Sequence, residues 1–202
     1  MKKIRYTKNA LRDEEKRLLQ LQNYLPTLKL KKKLLQFEIN ETRVEIKNLR
    51  EKFDKTYLSV EDFVNLFSEN KNFNIFQYVE VKHVSKYYEN IAGIDIPKFE
   101  SIIFQKDYYS LFDTPIWADS GIKIVRELVI FNQKLKIVEE KKRILLNELN
   151  EISIRVNLFE KVLIPRAKNI IKKIKIFLSD QELASVSRAK VAKNKIILKR
   201  VS

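Results

Sequence analysis

The sequence carries two long stretches in which apolar residues recur every seven positions, and this repeat restricts the possible folds more than any other feature. In the first stretch, eleven of fifteen seam positions are apolar. Sustained spacing of this kind is typical of a coiled-coil helix, whose seam faces a partner helix. The two series of seam positions are Leu11, Leu18, Leu25, Lys32, Ile39, Ile46, Phe53 and Val60, and Glu14, Leu21, Leu28, Leu35, Thr42, Leu49 and Thr56.

A second heptad pattern fills the last third of the chain, where thirteen of sixteen seam positions are apolar. Thr114 and Pro115 predict its start, as an N-cap and a first helical proline. Ser179 and Asp180 predict an interruption at its far end. The seam series are Ile124, Phe131, Val138, Leu145, Ile152, Phe159, Arg166 and Lys173, and Leu128, Leu135, Lys142, Leu149, Val156, Leu163, Ile170 and Phe177.

Between the two helices lies a segment of β-branched and aromatic residues. Phe73–Tyr88 and Ile94–Gln105 predict the two strands of a hairpin, with Gly93 in the turn between them. Short helical pieces are expected at residues 59–67 and 105–112. An isolated hairpin is only marginally stable, so we expect it to pack against the helix pair or a partner.

The chain is therefore predicted to be mainly α, a long antiparallel two-helix coiled coil with a small β-hairpin and short-helix region in the middle of the chain. The predicted segments are 1–68, the first long helix; 69–113, the hairpin region; 114–180, the second long helix; and 181–202, a basic extension, partly helical or disordered. Pairing of the same heptads between molecules is the alternative.

Two prolines, Pro26 and Pro165, fall inside the predicted helices. Each removes one backbone hydrogen bond and clashes with the carbonyl four residues earlier. An antiparallel register that sets Leu11 near Asp180 places both prolines at one height. We expect the helices to continue through them and to bend together, the alternative being two unrelated kinks.

Charge is concentrated at the two ends of the chain. Residues 1–36 hold eleven Lys/Arg and three Asp/Glu, residues 37–160 hold 18 and 21, and residues 161–202 hold twelve and two. Antiparallel pairing would merge the basic ends into one tip. Such a tip could bind phosphates of a nucleic acid, or a protein with an acidic or polar socket. The sequence shows no signature of a helix-turn-helix, a zinc finger, an RNA-recognition sheet or a basic zipper.

The sequence gives little support to an enzyme. Two glycines cannot build a phosphate-binding glycine loop, and the absence of cysteine excludes thiolate sites. His83 stands alone, and we expect it to be a surface or structural residue rather than a metal ligand or base. We expect no cofactor, and no segment is apolar enough to predict a membrane span.

A short motif near the second proline is more specific. Arg155, Val156, Asn157, Glu160, Ile164 and Pro165 resemble the signature of the D subunits of V-type ATPases and ATP synthases. Leu158 and Phe159 depart mildly from the Ala-Leu of that signature. "NIAGIDIP", with Gly93 and Pro97, resembles the hairpin element of the family. The N-terminal helix and "LFDTPIWADSG" are also similar, so the resemblance covers nearly the whole chain.

The resemblance implies a central rotor shaft without catalytic activity. In this family, the terminal helices enter the ring of A and B subunits, the F subunit binds near the hairpin, and a funnel-shaped subunit links the shaft to the membrane rotor. The family transports protons or sodium ions, coupled to ATP synthesis or hydrolysis. This chain would lie in the cytoplasm, peripheral to the inner membrane. The residues expected to face the ring are Lys8, Arg12, Lys168, Lys172 and Lys175.

Overall fold

The computed structural model describes residues 5–61, 75–105, 115 and 117–201, with the backbone alone for residues 198–201. The chain is mainly α with a central β-hairpin, as predicted. Its elements are α1 (Lys8–Glu61), one helical turn α2 (Phe76–Val79), strands β1 (Val81–Ile91) and β2 (Ile94–Phe104), α3 (Ala118–Leu158), a π-helical segment (Phe159–Leu163) and α4 (Ile164–Val201).

The chain divides into two compact units. The first contains Met1–Lys31 and Glu151–Ser202, and the second contains Lys32–Asn150. This division differs from the four segments expected from the sequence. Those segments stay a prediction of the domain boundaries. Within each unit, α1 lies beside a helix from the C-terminal half of the chain.

The seam predicted for α1 is confirmed along its whole length. Every one of its predicted seam positions is buried or half-buried. Leu35, Ile39 and Ile46 are the most deeply buried apolar residues of the series. The helix begins after Thr7, whose hydroxyl oxygen accepts a hydrogen bond from the backbone N–H of Ala10 at 3.2 Å.

Ion pairs show that the helices are antiparallel within the chain. In the first unit, Lys8, Glu15 and Lys29 of α1 meet Glu182, Lys175 and Glu160, so the partner numbers fall as the α1 numbers rise; the Nζ–Oε distances are 3.6, 2.8 and 2.8 Å. In the second unit, Arg50 meets Glu139 of α3 at 2.8 Å. The predicted antiparallel pairing is confirmed.

The π-helical segment explains how the helix accommodates Pro165. The N–H of Ile164 bonds to the carbonyl of Phe159, five residues earlier, instead of four. This wide turn contains Lys161, whose carbonyl Pro165 would crowd in a regular α-helix. The helix therefore continues through Pro165 without reversal, as expected.

The wide turn also shifts the seam, and the expectation that Arg166 and Lys173 occupy it is wrong. Both residues are exposed, as is Phe177, whereas Ala167 and Ile174 one position later are buried. A π turn takes up one additional residue, so each later side chain that faces α1 lies one position further along the sequence.

The two prolines lie at nearly the same height in the first unit. Lys29 contacts Glu160. Because the helices are antiparallel, Pro26, three residues before Lys29, lies level with a residue about three positions after Glu160. Pro165 is within about one turn of that point. Pro26 lies inside α1, which continues on both sides of it. The expected joint bend stays a prediction.

The hairpin turns at Ala92 and Gly93, whose φ angles are 54° and 79°. Two positive φ angles between paired strands define a type I′ turn. Asn90 supports the turn, because its Oδ1 accepts the Gly93 N–H at 3.0 Å and its Nδ2 donates to Asp95 Oδ1 at 2.7 Å. The strands pair antiparallel from Ile91 with Ile94 outward.

The hairpin packs against α3 within the second unit. Packing on the helix pair is one of the two predicted possibilities, the other being a partner. The Arg126 guanidinium lies 4.7 Å from the centre of the Phe104 ring and donates to the Tyr78 carbonyl at 3.0 Å. Lys134 lies 5.1 Å from the centre of the Phe99 ring. These cation–π contacts connect helix and sheet. The surrounding core includes Ile96, Ile122 and Ile137.

Three predicted boundaries of elements differ from the structure. The first strand begins at Val81, because the residues before it form α2, in which Val79 is buried together with Ile75 just before the helix, at helical spacing. Pro115 is not the first helical residue of α3; its carbonyl accepts the Ala118 N–H in a turn before the helix.

The third difference lies in α4, which continues through Ser179 and Asp180 without the expected interruption. Residues 59–61 of the first predicted helical piece belong to α1. Its remainder, and nearly all of the piece at 105–112, lie outside the described residues, as does Thr114.

The shifted seam predicts different effects of substituting neighbouring residues. Ile174 is 1% exposed, so Ile174→Ala should lower the free energy of unfolding by about 2–4 kcal/mol through lost burial and a cavity. Lys173→Ala should change it by less than about 0.5 kcal/mol, since this side chain is exposed. Urea unfolding followed by circular dichroism measures both. The reverse order of effects would contradict the shift.

The turn makes a second prediction. Alanine in the left-handed region carries a steric cost of about 1–2 kcal/mol that asparagine relieves through local hydrogen bonding. Ala92→Asn should therefore stabilise the hairpin by about 1 kcal/mol, measured by amide hydrogen exchange in β1 and β2. Ala92→Val is the control and should destabilise it, because β-branched residues disfavour positive φ. Equal exchange in both variants would contradict the assigned turn.

Candidate interaction surface

Three of the lysines expected to contact a partner lie on one face of α4. Lys168, Lys172 and Lys175 are spaced four and three residues apart, so helical geometry brings them together, and all three are exposed. We call them the α4 lysine face. Its positive charge is available to an acidic or polar partner.

The other two expected residues, Lys8 and Arg12, lie in α1 and share a groove with Lys175. The groove has a volume of about 350 Å³, and its wall also contains Glu15 and Glu182. Lys8 pairs with Glu182 and Lys175 pairs with Glu15. The structure therefore brings Lys8, Arg12 and Lys175 together, in a groove of mixed charge.

Local pairing divides the five predicted residues into two groups. Among the residues that the structure describes, Arg12, Lys168 and Lys172 have no carboxylate within 4 Å, whereas Lys8 and Lys175 do. An exposed ion pair of this kind is worth little energetically, but it offsets part of the charge that a partner meets. Arg12, Lys168 and Lys172 are thus the strongest candidates for contact, and the two lysines lie together on the α4 lysine face.

The last five turns of α4 extend beyond the first residue of α1. Lys8 is where α1 begins, and it contacts Glu182, yet α4 runs on to Val201. Large apolar side chains on this extension are at least half exposed. They are Leu183, Val186, Val191, Ile196 and Ile197. Exposed Arg188, Lys190, Lys193 and Lys195 alternate with them.

This extension is not among the contact residues predicted from the sequence. Apolar side chains exposed in such number on one helix indicate a surface that a partner covers. The signal is present in the sequence as isoleucine, valine and leucine residues that recur beyond Ser179. This signal does not enter the prediction, because Ser179 and Asp180 predict that the helix ends before these residues.

The motif around Pro165 has structural contacts in the first unit. Val156 is 4% exposed and lies in the seam. Arg155 pairs with Glu151 at 3.3 Å, and Glu160 pairs with Lys29 of α1 at 2.8 Å. Ile164 is half-buried beside the π-helical segment. Asn157 and Pro165 are exposed. The motif therefore spans the wide turn and includes Glu160, which pairs with α1.

The hairpin residues singled out by sequence lie in the second unit. Gly93 occupies the turn, and Pro97 is fully buried in β2 opposite Tyr88, which is 66% exposed. His83 is exposed on β1. At this cross-strand pair, Tyr88 is thus exposed while Pro97 is buried.

The pKa of Lys98 on β2 is shifted. A side-chain hydrogen bond from Lys98 to Glu89 on the opposite strand raises the pKa of Lys98, and burial opposes this more weakly. Because the folded-state pKa is the higher one, the pair contributes stability at neutral pH. That contribution is lost as pH rises beyond the ordinary pKa of lysine.

Membrane-spanning and metal-binding features are both absent from the described part of the chain. Its helices include none that is long and apolar enough to cross a membrane. Its His, Asp and Glu side chains form no group of three that could hold a metal ion.

Comparison with known proteins gives a consistent result along the chain. Residues 10–194 match the family model of the ATP synthase D subunit. The chain is 43% identical over 201 residues to the V-type ATP synthase D subunit of Borreliella burgdorferi, covering 98% of each chain. It is 44% identical over 194 residues to that of Chlamydia caviae, and 41% identical to that of Chlamydia abortus; both matches cover 96% of this chain and 93% of the relative.

Proposed function

The chain belongs to the family of V-type ATP synthase D subunits, which form the central stalk, and from this premise we propose that it transmits torque between a ring of A and B subunits and a membrane rotor. The observation that carries the proposal is the basic end of the first unit. There, the α4 lysine face and the apolar extension of α4 are exposed together.

The two features suit different parts of one contact. The extension offers apolar area whose burial in a cavity of a partner would stabilise the complex. The lysines offer long-range attraction, which speeds association and tolerates rotation better than fixed hydrogen bonds. Together they support insertion of the α4 end into the ring.

In this proposal, the chain has no catalytic site of its own. A stalk acts by presenting different faces to the proteins around it, so its contribution to ATP turnover is conformational. The sequence supports this role because it lacks a glycine-rich phosphate loop.

The remaining partners follow from the family. The F subunit would bind near the hairpin, and a funnel-shaped subunit would connect the stalk to the membrane rotor, which carries protons or sodium ions. The chain would then lie in the cytoplasm, peripheral to the inner membrane. The exposed aromatic residues Tyr87 and Tyr88 on β1 support a protein contact at the hairpin.

Charge reversal tests the role of the lysine face. Lys168→Glu with Lys172→Glu should weaken binding to a reconstituted ring of A and B subunits about tenfold at low salt, because neither cation has a carboxylate within 4 Å among the described residues. Binding of the unaltered chain should weaken as salt rises, and that of the variant should depend less on salt. Titration by biolayer interferometry measures both.

The matched control is Arg43→Glu with Lys47→Glu, which reverses two exposed charges at the same spacing on α1 of the second unit. This control should leave binding to the ring nearly unchanged. Equal weakening by both double variants would contradict a contact localised at the lysine face. Binding insensitive to salt would contradict the electrostatic part of the proposal.

Truncation tests the extension separately. Removal of residues 183–202 leaves the pairs of Lys8 with Glu182 and Glu15 with Lys175 in place, so the helix pair should stay folded by circular dichroism. The truncated chain should lose at least about tenfold in ring affinity, since burial of several large apolar side chains contributes a few kcal/mol.

ATP hydrolysis by the ring should respond to the full chain and not to the truncated one at equal concentration. Unchanged hydrolysis with the full chain would contradict the stalk role. Nucleic acid co-purifying in place of A and B subunits would favour a nucleic-acid-binding function.

A further inference from the structure

A charged side chain is buried between the helices of the second unit. Lys141 of α3 is 6% exposed and lies among apolar neighbours in sequence that are also buried, Ile137, Val138 and Leu145. Removing an ammonium group from water is costly unless carboxylates compensate it. Its position therefore depends on what α1 presents to it.

The compensating groups both come from α1. The Lys141 ammonium lies 2.8 Å from Glu38 Oε1 and 3.9 Å from Glu45 Oε2. Glu38 is itself largely buried, with a side chain 14% exposed. Between these two glutamates, Thr42 is fully buried and donates its hydroxyl to the Glu38 carbonyl at 2.7 Å, so it does not compete for the ammonium.

An apolar seam alone fixes the register of two helices weakly. Sliding α1 by one heptad in either direction puts another apolar residue in place of seven of the ten apolar seam residues that have a counterpart, so the seam alone opposes the slip only in part. The charged cluster responds differently. Glu38 and Glu45 are one heptad apart, and the next positions of the same series are Lys31 and Lys52.

This series penalises sliding in both directions. A slip of one heptad either way would keep one glutamate beside Lys141 and replace the other by Lys31 or Lys52. A second lysine would then face a buried ammonium, and like charges in a site of low dielectric repel strongly. Only the observed register supplies two carboxylates.

We propose that Lys141, held between Glu38 and Glu45, fixes the axial register of α1 against α3. It is a positioning residue that prevents the two helices from sliding past each other under load. The proposal concerns the helix pair itself and does not depend on which partners the chain binds.

Distances between spin labels test the register directly. The chain has no cysteine, so Arg43→Cys and Lys136→Cys provide two unique, exposed labelling sites in the second unit. Because Arg50 meets Glu139, these two sites are offset along the helix axes, and a heptad slip changes the offset by about 10 Å. The full-length chain should give one distance in pulsed electron paramagnetic resonance.

Lys141→Met removes the charge but keeps an unbranched apolar side chain that can pack in the seam. It should produce a second distance, displaced by about 5–10 Å, with no loss of helix content. Glu38→Lys combined with Lys52→Glu moves the pair of carboxylates by one heptad, and the displaced distance should become the main one.

The control is Arg50→Met, which breaks the exposed pair with Glu139 and should keep the single distance. A role in packing alone would change the midpoint of thermal unfolding but not the number of distances. A single native distance in both Lys141→Met and the Glu38→Lys, Lys52→Glu variant would overturn the proposal.

Discussion

Burial of the α1 seam is the constraint on which the remaining structure depends. A helix as long as α1 is stable in water when its apolar seam is covered, and helices from the C-terminal half of the chain cover this seam in each unit. The hairpin relies on the same arrangement, because a two-stranded sheet needs a surface to pack on and α3 supplies it. With only two glycines, the chain has few positions at which this continuous packing could be interrupted.

The α1 seam could be predicted from sequence because it obeys one rule from end to end. The second seam follows the heptad repeat only as far as Leu163. A heptad repeat assumes a constant number of residues per helical turn. The π-helical segment breaks that assumption. A sign of it is visible in the sequence: Arg166 and Lys173 are charged at predicted seam positions, while Ala167 and Ile174 are the next residues along.

The candidate surface was predictable in composition and less so in detail. Basic residues at both ends of the chain pointed to its lysines, which are exposed, and their contact with a partner stays a prediction. Their pairing with Glu15 and Glu182 depends on side chains from a helix far away in sequence, which no local pattern reveals. The same holds for Lys141, whose burial depends on how α1 packs against α3 and on carboxylates about a hundred residues away in sequence.

The π-helical segment has a consequence for how this chain can vary through evolution. The wide turn holds one surplus residue, and Pro165 follows at the distance where a regular turn would bring its ring against the Lys161 carbonyl. Deleting the surplus residue would restore regular α-geometry and leave the later seam facing α1, but the proline would then be strained. The proline and the additional residue are therefore expected to be inherited as a pair, gained or lost together in related sequences.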